Sequence, residues 1–495
     1  MPAPAPYDVT VIGAGVVGTA IARHLATHTD PRHPPLRLAL LDASDDIGNG
    51  TSKANTAILH TGFDTTPGTL ESTLVRDGHR RLLAYARQTG IPVEPVGALL
   101  VAWTEDQLAA LPALAAKAVR NGTHDTRPLG PAELYAREPH LGPGALGALE
   151  VPGESIICPF TTPLAYATEA VRSGTELHLN TRVERITPTP DGHLLHTSRG
   201  PLRTRRLVNA AGLHADTVDR MLGIDDFTVT PRRGQLLVFA KEARALVRHI
   251  LLPVPTALGK GVLVTPTVFG NVLLGPTAED LTGPDARTAH HTTPEGIAHL
   301  LEHGRRLMPP LLDTKVITSY AGLRAATGHD DFRIRAHPGL RYLTVGGIRS
   351  TGLSASLGIA AHVAGLLAED GLPLNPEPSQ SRPPRMPNLG EAFPRPHQRP
   401  DLIARDPAYG DVVCPCESVT RGEIRDALTS TVPARTPGGL RRRTRVESGH
   451  CRGERCAAAV RALTAEHTPR PPKDLQDTRG GQGGPDIGPG GSGTR

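Results

Sequence analysis

The sequence predicts an α/β chain in three parts: a Rossmann-like nucleotide-binding domain, a second domain on a mixed, mostly antiparallel sheet, and a small helical domain near the C-terminus. Three observations predict it. A glycine-rich turn at 13–18 joins a β-branched run to an apolar-periodic segment. The stretch 231–280 alternates apolar runs with turn residues. Four of the five cysteines fall between Cys414 and Cys456.

The first of these is the stretch Tyr7–Asp42. A short run, Val9 to Ile12, meets Gly13-Ala14-Gly15, and Gly18 follows before Ala20, Ile21 and Leu25 continue a helical period. A second apolar run, Leu36 to Leu41, ends on Asp42. Strand, glycine turn, helix, strand and acid make the βαβ dinucleotide fingerprint. Gly13 permits the tight turn, Gly15 the approach of a pyrophosphate, and Gly18 the packing of helix on strand. The helix start, with the amides of Ala14 and Val16, offers N–H groups and a partial positive charge to phosphate. Asp42 is the candidate ribose anchor, delayed by the Pro-rich insert 30–35. The fingerprint leaves FAD and NAD both open.

The totals set limits. A chain of 495 residues accommodates about three domains. A net charge of +5 over this length, with 3% aromatic residues, argues against nucleic-acid binding. No run of about 18 apolar residues stands out, so no transmembrane segment is expected. The start MPAPAP lacks a basic and an apolar region, so a cytoplasmic chain is expected. Clustered cysteines in that compartment suggest metal rather than disulfides.

Beyond Asp42, residues 42–70 are rich in Gly, Ser, Thr and Asn, which suits a loop around a pyrophosphate. The run GNGTSKANTAILHTGFDTTPGTL within it resembles FAD-dependent oxidoreductases of the D-amino-acid-oxidase-like superfamily. The likeness is greatest to glycerol-3-phosphate dehydrogenases and L-2-hydroxyglutarate oxidases. The resemblance implies that Thr51, Ser52 and Asn55 lie along FAD and that His60 sits near its isoalloxazine. It further implies cofactor contacts from Val183, from Ala211 and Gly212 in RLVNAAGLHAD, and from Gly347, Arg349, Thr351, Gly352 and Leu353 in the last glycine-rich turn. Asp42 stands where that family more often carries the longer Glu.

The same resemblance covers the segments that would bind substrate. In SYAGLRAATGHDDFRI it implies that Arg324 clamps an anionic group, a task suited to a planar, bidentate guanidinium. A structural salt bridge is the ordinary alternative. Arg232 and Lys260 are second-rank candidates, whereas Arg233 reads as a solvated charge at a strand edge. Cys158 reads as a small buried residue without chemistry.

The late cysteines form C-x-C, then about 34 residues, then C-x4-C. Cys414, Cys416, Cys451 and Cys456 can hold either a 2Fe–2S cluster or zinc on spacing alone. The resemblance of this segment to the bacterioferritin-associated-ferredoxin-type domain implies 2Fe–2S. Thr420 and Glu423 form a candidate capping box. The basic run 441–445 suits a solvated helix face better than a docking site for an acidic partner.

The expected domains are therefore 1–90, 156–225 and 318–372 for FAD, 91–155 and 226–317 for substrate, a Pro-rich linker over 373–405, an iron–sulfur domain over 406–467, and a disordered tail over 468–495. The expected activity is FAD-dependent oxidation of a small anionic secondary alcohol, glycerol 3-phosphate first. His60 would act as base and Arg324 as anion clamp. Electrons would leave through the cluster to a flavoprotein or iron–sulfur partner subunit, through which the chain could associate peripherally with a membrane. The rival readings are a 2-hydroxy acid dehydrogenase, an amino or imino acid dehydrogenase, and an electron-transfer subunit without a substrate of its own.

Overall fold

The structure is a computed structural model of the chain, and it describes residues 5–255, 261–378 and 382–467. Lys260 and the tail 468–495 lie outside the described residues.

An eight-stranded sheet carries the nucleotide turn. Its parallel centre runs Glu176–His178, Leu38–Leu41, Tyr7–Ile12, Gly200–Asn209 and Tyr342–Gly346. In register, Ile12 faces Leu41 on one side and Asn209 on the other. All these strands therefore end at one edge, where ligands of open α/β sheets bind. The helices Val16–Thr27, Leu70–Thr89, Thr161–Arg172 and Gly352–Glu369 pack together in the main core. Close approach decides the composition of that packing: a Cβ on Gly358 would come 2.4 Å from the Leu74 carbonyl oxygen. Gly352–Glu369 is long and apolar enough to span a membrane by length and composition alone, but 61% of it is buried inside the fold, as in a core helix.

A nine-stranded mixed sheet forms the second layer. Its longest ladder pairs Thr230–Phe239 with Val316–Ala326, antiparallel along nearly their whole length. This corrects one expected boundary: residues 318–326 belong to the second sheet, and the chain returns to the first only at Arg333–His337. Local apolar patterning gives a strand but does not say which sheet it joins. A three-stranded sheet links the layers, with Ser155–Ile157 between Ile58–Leu59 and Val93–Glu94.

The C-terminal domain has its own core, built from Val419, Ile424, Leu428, Leu440, Val446, Val460 and Leu463 around Cys414 and Cys456. Its helix Arg421–Thr429 starts at the capping box read from sequence: the Thr420 hydroxyl accepts the Glu423 amide at 3.3 Å, and Glu423 accepts the Thr420 amide at 2.9 Å. The Pro-rich segment before it wraps along the body as a strap. The Met386 amide donates to the Thr89 carbonyl, the Glu391 amide to the Val268 carbonyl, and buried Arg395 donates to Glu423 at 3.1 Å.

Candidate active site and cofactor sites

The glycine turn is shaped by what its glycines exclude. Gly13 has φ +101°, and a Cβ there would lie 2.4 Å from the Ala210 carbonyl oxygen. A Cβ on Gly18 would lie 1.8 Å from the Gly13 carbonyl oxygen. Around this turn the Asp42 carboxylate accepts the Ala14 amide at 2.7 Å and the Ser44 amide at 2.7 Å. Burial raises the Asp42 carboxyl above its ordinary pKa, against the lowering effect of those amides. The short acid thus holds the turn itself, while still lining the cavity with lone pairs to spare for a ribose. Similarly, the Ser52 hydroxyl accepts the Val16 amide at 2.9 Å.

A continuous cavity of about 2660 Å³ runs from this turn into the second sheet. Gly13, Gly15, Val16, Asp42, Thr51, Ser52, Asn55, Val183, Ala211, Gly212, Arg349, Gly352 and Leu353 all line it. Four expected contacts do not. Ala14 and Gly18 lie beneath the turn, Gly347 supplies a bend at φ +65°, and Thr351 donates to Glu71 at 2.7 Å. Asn55 shapes its own loop, donating to the Ser52 carbonyl and accepting the Ala57 amide, both at 2.7 Å. Arg349 is anchored by Glu71 at 2.5 Å. A long crevice with a glycine turn at the carboxyl ends of parallel strands fits an extended dinucleotide.

His60 also lines the cavity, and its Nδ1 lies 2.8 Å from Glu154. The antiparallel pairing of Leu59 with Ser155 produces this contact, because it places residues 60 and 154 side by side at the strand ends. Glu154 is fully buried, and its other oxygen accepts the Thr61 amide at 2.7 Å and the Thr61 hydroxyl at 2.8 Å. Sequence reasoning missed Glu154. Its signal was an acid set directly against the apolar run Ser155–Cys158. Tyr320 was missed as well; it lines the cavity and donates to the Asn55 carbonyl at 2.7 Å.

Arg232 and Arg324 face each other across the long ladder. Arg232 is bound by both oxygens of Asp280, at 2.5 and 2.8 Å. Arg324 meets only the Thr277 carbonyl, at 3.5 Å, and no carboxylate lies in reach among the described residues. Burial, then the charge of Arg232, pushes its pKa down to about 10. Arg233 is not the solvated edge charge expected: it is buried and donates to Glu279 at 2.7 Å, because its side chain turns to the opposite face of the strand. Cys158 is buried against Thr161, as expected, and burial raises its thiol.

The far wall of the cavity belongs to the C-terminal domain. Ser448, Gly449 and Arg452, which flank Cys451, line it together with Arg441, Arg442 and Arg445. The expected solvated helix face is instead an internal contact: Arg442 and Arg443 both bind Asp46. The four cysteines lie near one another, Cys456 close to Cys414 and Cys416 close to both Cys451 and Cys414, with Cys416 Sγ 3.7 Å from His450 Nε2. No three ligating side chains among the described residues converge on one point. Two thiol pairs can supply the four thiolates of a binuclear cluster, two to each iron.

Residues 8–366 match the profile of the DAO family, FAD dependent oxidoreductase. The chain belongs to that family. This FAD-dependent oxidoreductase also matches, over residues 412–466, the BFD-like [2Fe-2S] binding domain. Its cofactors are accordingly FAD and a 2Fe–2S cluster, for which the crevice and the four late cysteines are the candidate sites. Over 464 residues it is 35% identical to a glycerol 3-phosphate dehydrogenase of Caloramator mitchellensis, covering 93% of this chain and 94% of that protein. It is 30% identical to a glycerol 3-phosphate oxidase of Mycoplasma pneumoniae, over 73% of this chain and 94% of that one. A solved structure of dithionite-reduced L-alpha-glycerophosphate oxidase from Mycoplasma pneumoniae with FAD bound superposes with a TM-score of 0.71 at 28% identity, covering 78% of this chain and all of that one.

Proposed function

We propose that this oxidoreductase converts glycerol 3-phosphate to dihydroxyacetone phosphate and delivers the electrons through its 2Fe–2S cluster to a flavoprotein or iron–sulfur partner. One observation carries the reading: Arg324 is a half-buried guanidinium with no carboxylate partner among the described residues, in the same cavity as His60, which Glu154 holds from behind. A desolvated cation of this kind is stabilised by an anionic substrate group. Relatives named for glycerol 3-phosphate support a phosphate as that group.

Bound FAD would take up a hydride from the alcohol carbon, and the cluster would relay electrons one at a time. The chain's own residues do the rest. Arg324 holds the phosphate and fixes the reach of the secondary alcohol. Glu154 takes both Thr61 donors on one oxygen and leaves the other as an acceptor facing the ring, so His60 Nδ1 carries its hydrogen toward it and Nε2 is the nitrogen that accepts the alcohol proton. As the O–H proton passes to Nε2 and the C–H bond gives up its electron pair, the carbinol becomes a carbonyl. Arg232, neutralised by Asp280, contributes field rather than a direct clamp. The cluster-bearing loop shares the cavity wall, which favours the cluster as the exit for electrons.

Anaerobic titration of the purified protein with glycerol 3-phosphate, alongside a panel of 2-hydroxy acids and amino acids, tests this. Glycerol 3-phosphate should bleach the flavin band and then the iron–sulfur band. Bleaching only by a hydroxy or amino acid would replace the substrate.

A further inference from the structure

The contact between the iron–sulfur domain and the body is centred on one acid that no cofactor or substrate role uses. Asp46 lies four residues beyond Asp42, in the loop that closes the nucleotide turn, and is 1% exposed. It does not line the cavity. Its Oδ1 accepts the Ile47 amide at 2.9 Å and Arg443 at 2.7 Å, and its Oδ2 accepts Arg442 at 2.6 Å and Arg443 at 2.8 Å. Arg443 is buried too, and is braced by the Val432 and Gly439 carbonyls at 3.1 Å each. The acid enters the first turn of the helix Pro437–Thr444 so closely that a Cβ on Gly439 would sit 2.8 Å from Asp46 Oδ2.

We propose that Asp46 is a positioning residue that registers the iron–sulfur domain on the flavin cavity. The fork of Arg443 fixes orientation as well as distance, because two parallel N–H bonds to one carboxylate allow little rotation. Weaker contacts then complete the seating: Arg445 stacks over Phe269 at 4.3 Å and donates to Asn271 at 3.2 Å, and Arg452 donates to the Ile317 carbonyl at 3.1 Å. Arg452 directly follows Cys451, and Ile317 lies on the strand that carries Arg324. The same acid that closes the nucleotide loop thus sets where the cluster loop meets the cavity.

The inference rests on the proposed exit of electrons through the cluster, and the test separates the two. In full-length protein carrying FAD and cluster, Asp46→Asn and Arg443→Lys are compared with wild type by two readouts. Stopped-flow mixing with glycerol 3-phosphate follows the flavin and iron–sulfur bands separately, and hydrogen exchange follows residues 437–452. In Asp46→Asn, flavin bleaching stays within about twofold of wild type, while the iron–sulfur band slows at least about tenfold and exchange in 437–444 quickens by a similar factor. Arg443→Lys, which keeps the charge but not the fork, falls between, and it carries the test alone if Asp46→Asn does not fold. Unchanged exchange with an unchanged iron–sulfur rate overturns the role of Asp46. Equal slowing of both bands also overturns it, since that marks general damage. An iron–sulfur band in wild type that never responds to substrate refutes the electron route, and the exchange data then decide Asp46 alone.

Discussion

The arginines of the C-terminal helix and the arginine of the inner sheet obey the same physics with opposite outcomes. In Pro437–Thr444 each arginine has a carboxylate: Arg441 has Glu447, and Arg442 and Arg443 share Asp46. In the long ladder Arg232 has Asp280, while Arg324, directly across from it, has only a distant carbonyl. Burying a guanidinium is costly unless a partner replaces its water. Where the chain supplies the partner, the arginine holds architecture. Where it withholds one from a half-buried arginine in a cavity, the partner is expected from outside.

The sharpest way to break this contrast is to remove each arginine of the ladder in turn. Arg324→Ala should lower kcat/KM by about 10³-fold, chiefly through KM, because a desolvated charge-assisted contact to the substrate anion is lost. Arg232→Ala should change it less than about tenfold, since its charge is already balanced by Asp280. Steady-state kinetics with glycerol 3-phosphate checks both, and equal effects would dissolve the distinction.

A smaller effect is expected at the buried charge behind His60. Glu154→Gln retains size but not charge, so the imidazole of His60 loses its fixed orientation and the stabilisation of its protonated form. A fall in kcat of about 10- to 100-fold with little change in KM is expected, measured as the rate of flavin bleaching in a single turnover. A change confined to KM would make Glu154 a purely structural residue.

How much of this was legible in the sequence follows from the range of each interaction. The turn Gly13–Gly18, the capping box at Thr420 and the cysteine domain are local, and local spacing carried them. Arg324 was legible only through resemblance, because its distinguishing property is a missing partner. The missed features are all long-range pairings: Glu154 with His60, 94 residues apart, and Asp46 with Arg443, 397 apart. A charged run such as 441–445 looks the same whether it faces water or a buried acid, and register across the ladder, not composition, turned Arg233 inward.

Acid should undo the paired side of the comparison before neutral pH touches it. Burial alone would raise the Asp46 carboxyl, but the bonds from Arg443 and the charges of both arginines prevail and hold it below its ordinary value of 3.8. A carboxyl depressed in the folded state contributes its stability above the unfolded pKa and loses it as pH falls through the folded one. Docking should therefore hold at pH 5 and weaken progressively below about pH 4. Pepsin nicking in the strap 382–405 reads this: it should accelerate below about pH 4 in wild type and already be fast at pH 5 in Asp46→Asn.

The smallest effect has the opposite sign. Because Arg324 is charged, half-buried and without a carboxylate partner among the described residues, it strains the ligand-free protein, and its pKa of about 10 lies below the ordinary guanidinium value. The unfolded chain therefore binds the proton more tightly, so the penalty is fully present below about pH 10 and is relieved as pH rises above it toward the ordinary guanidinium range. Arg324→Met, similar in length and without charge, should stabilise the ligand-free protein by about 1–3 kcal/mol at pH 7, a rise in Tm of a few degrees. The same change at Arg443 should destabilise, since it strands Asp46 without its fork. Adding glycerol 3-phosphate should raise the Tm of wild type but not of Arg324→Met. A substitution that stabilises the empty enzyme while abolishing its response to ligand is the mark of a residue kept for binding. A fall in Tm for Arg324→Met would mean that the fold, and not the ligand, satisfies this arginine.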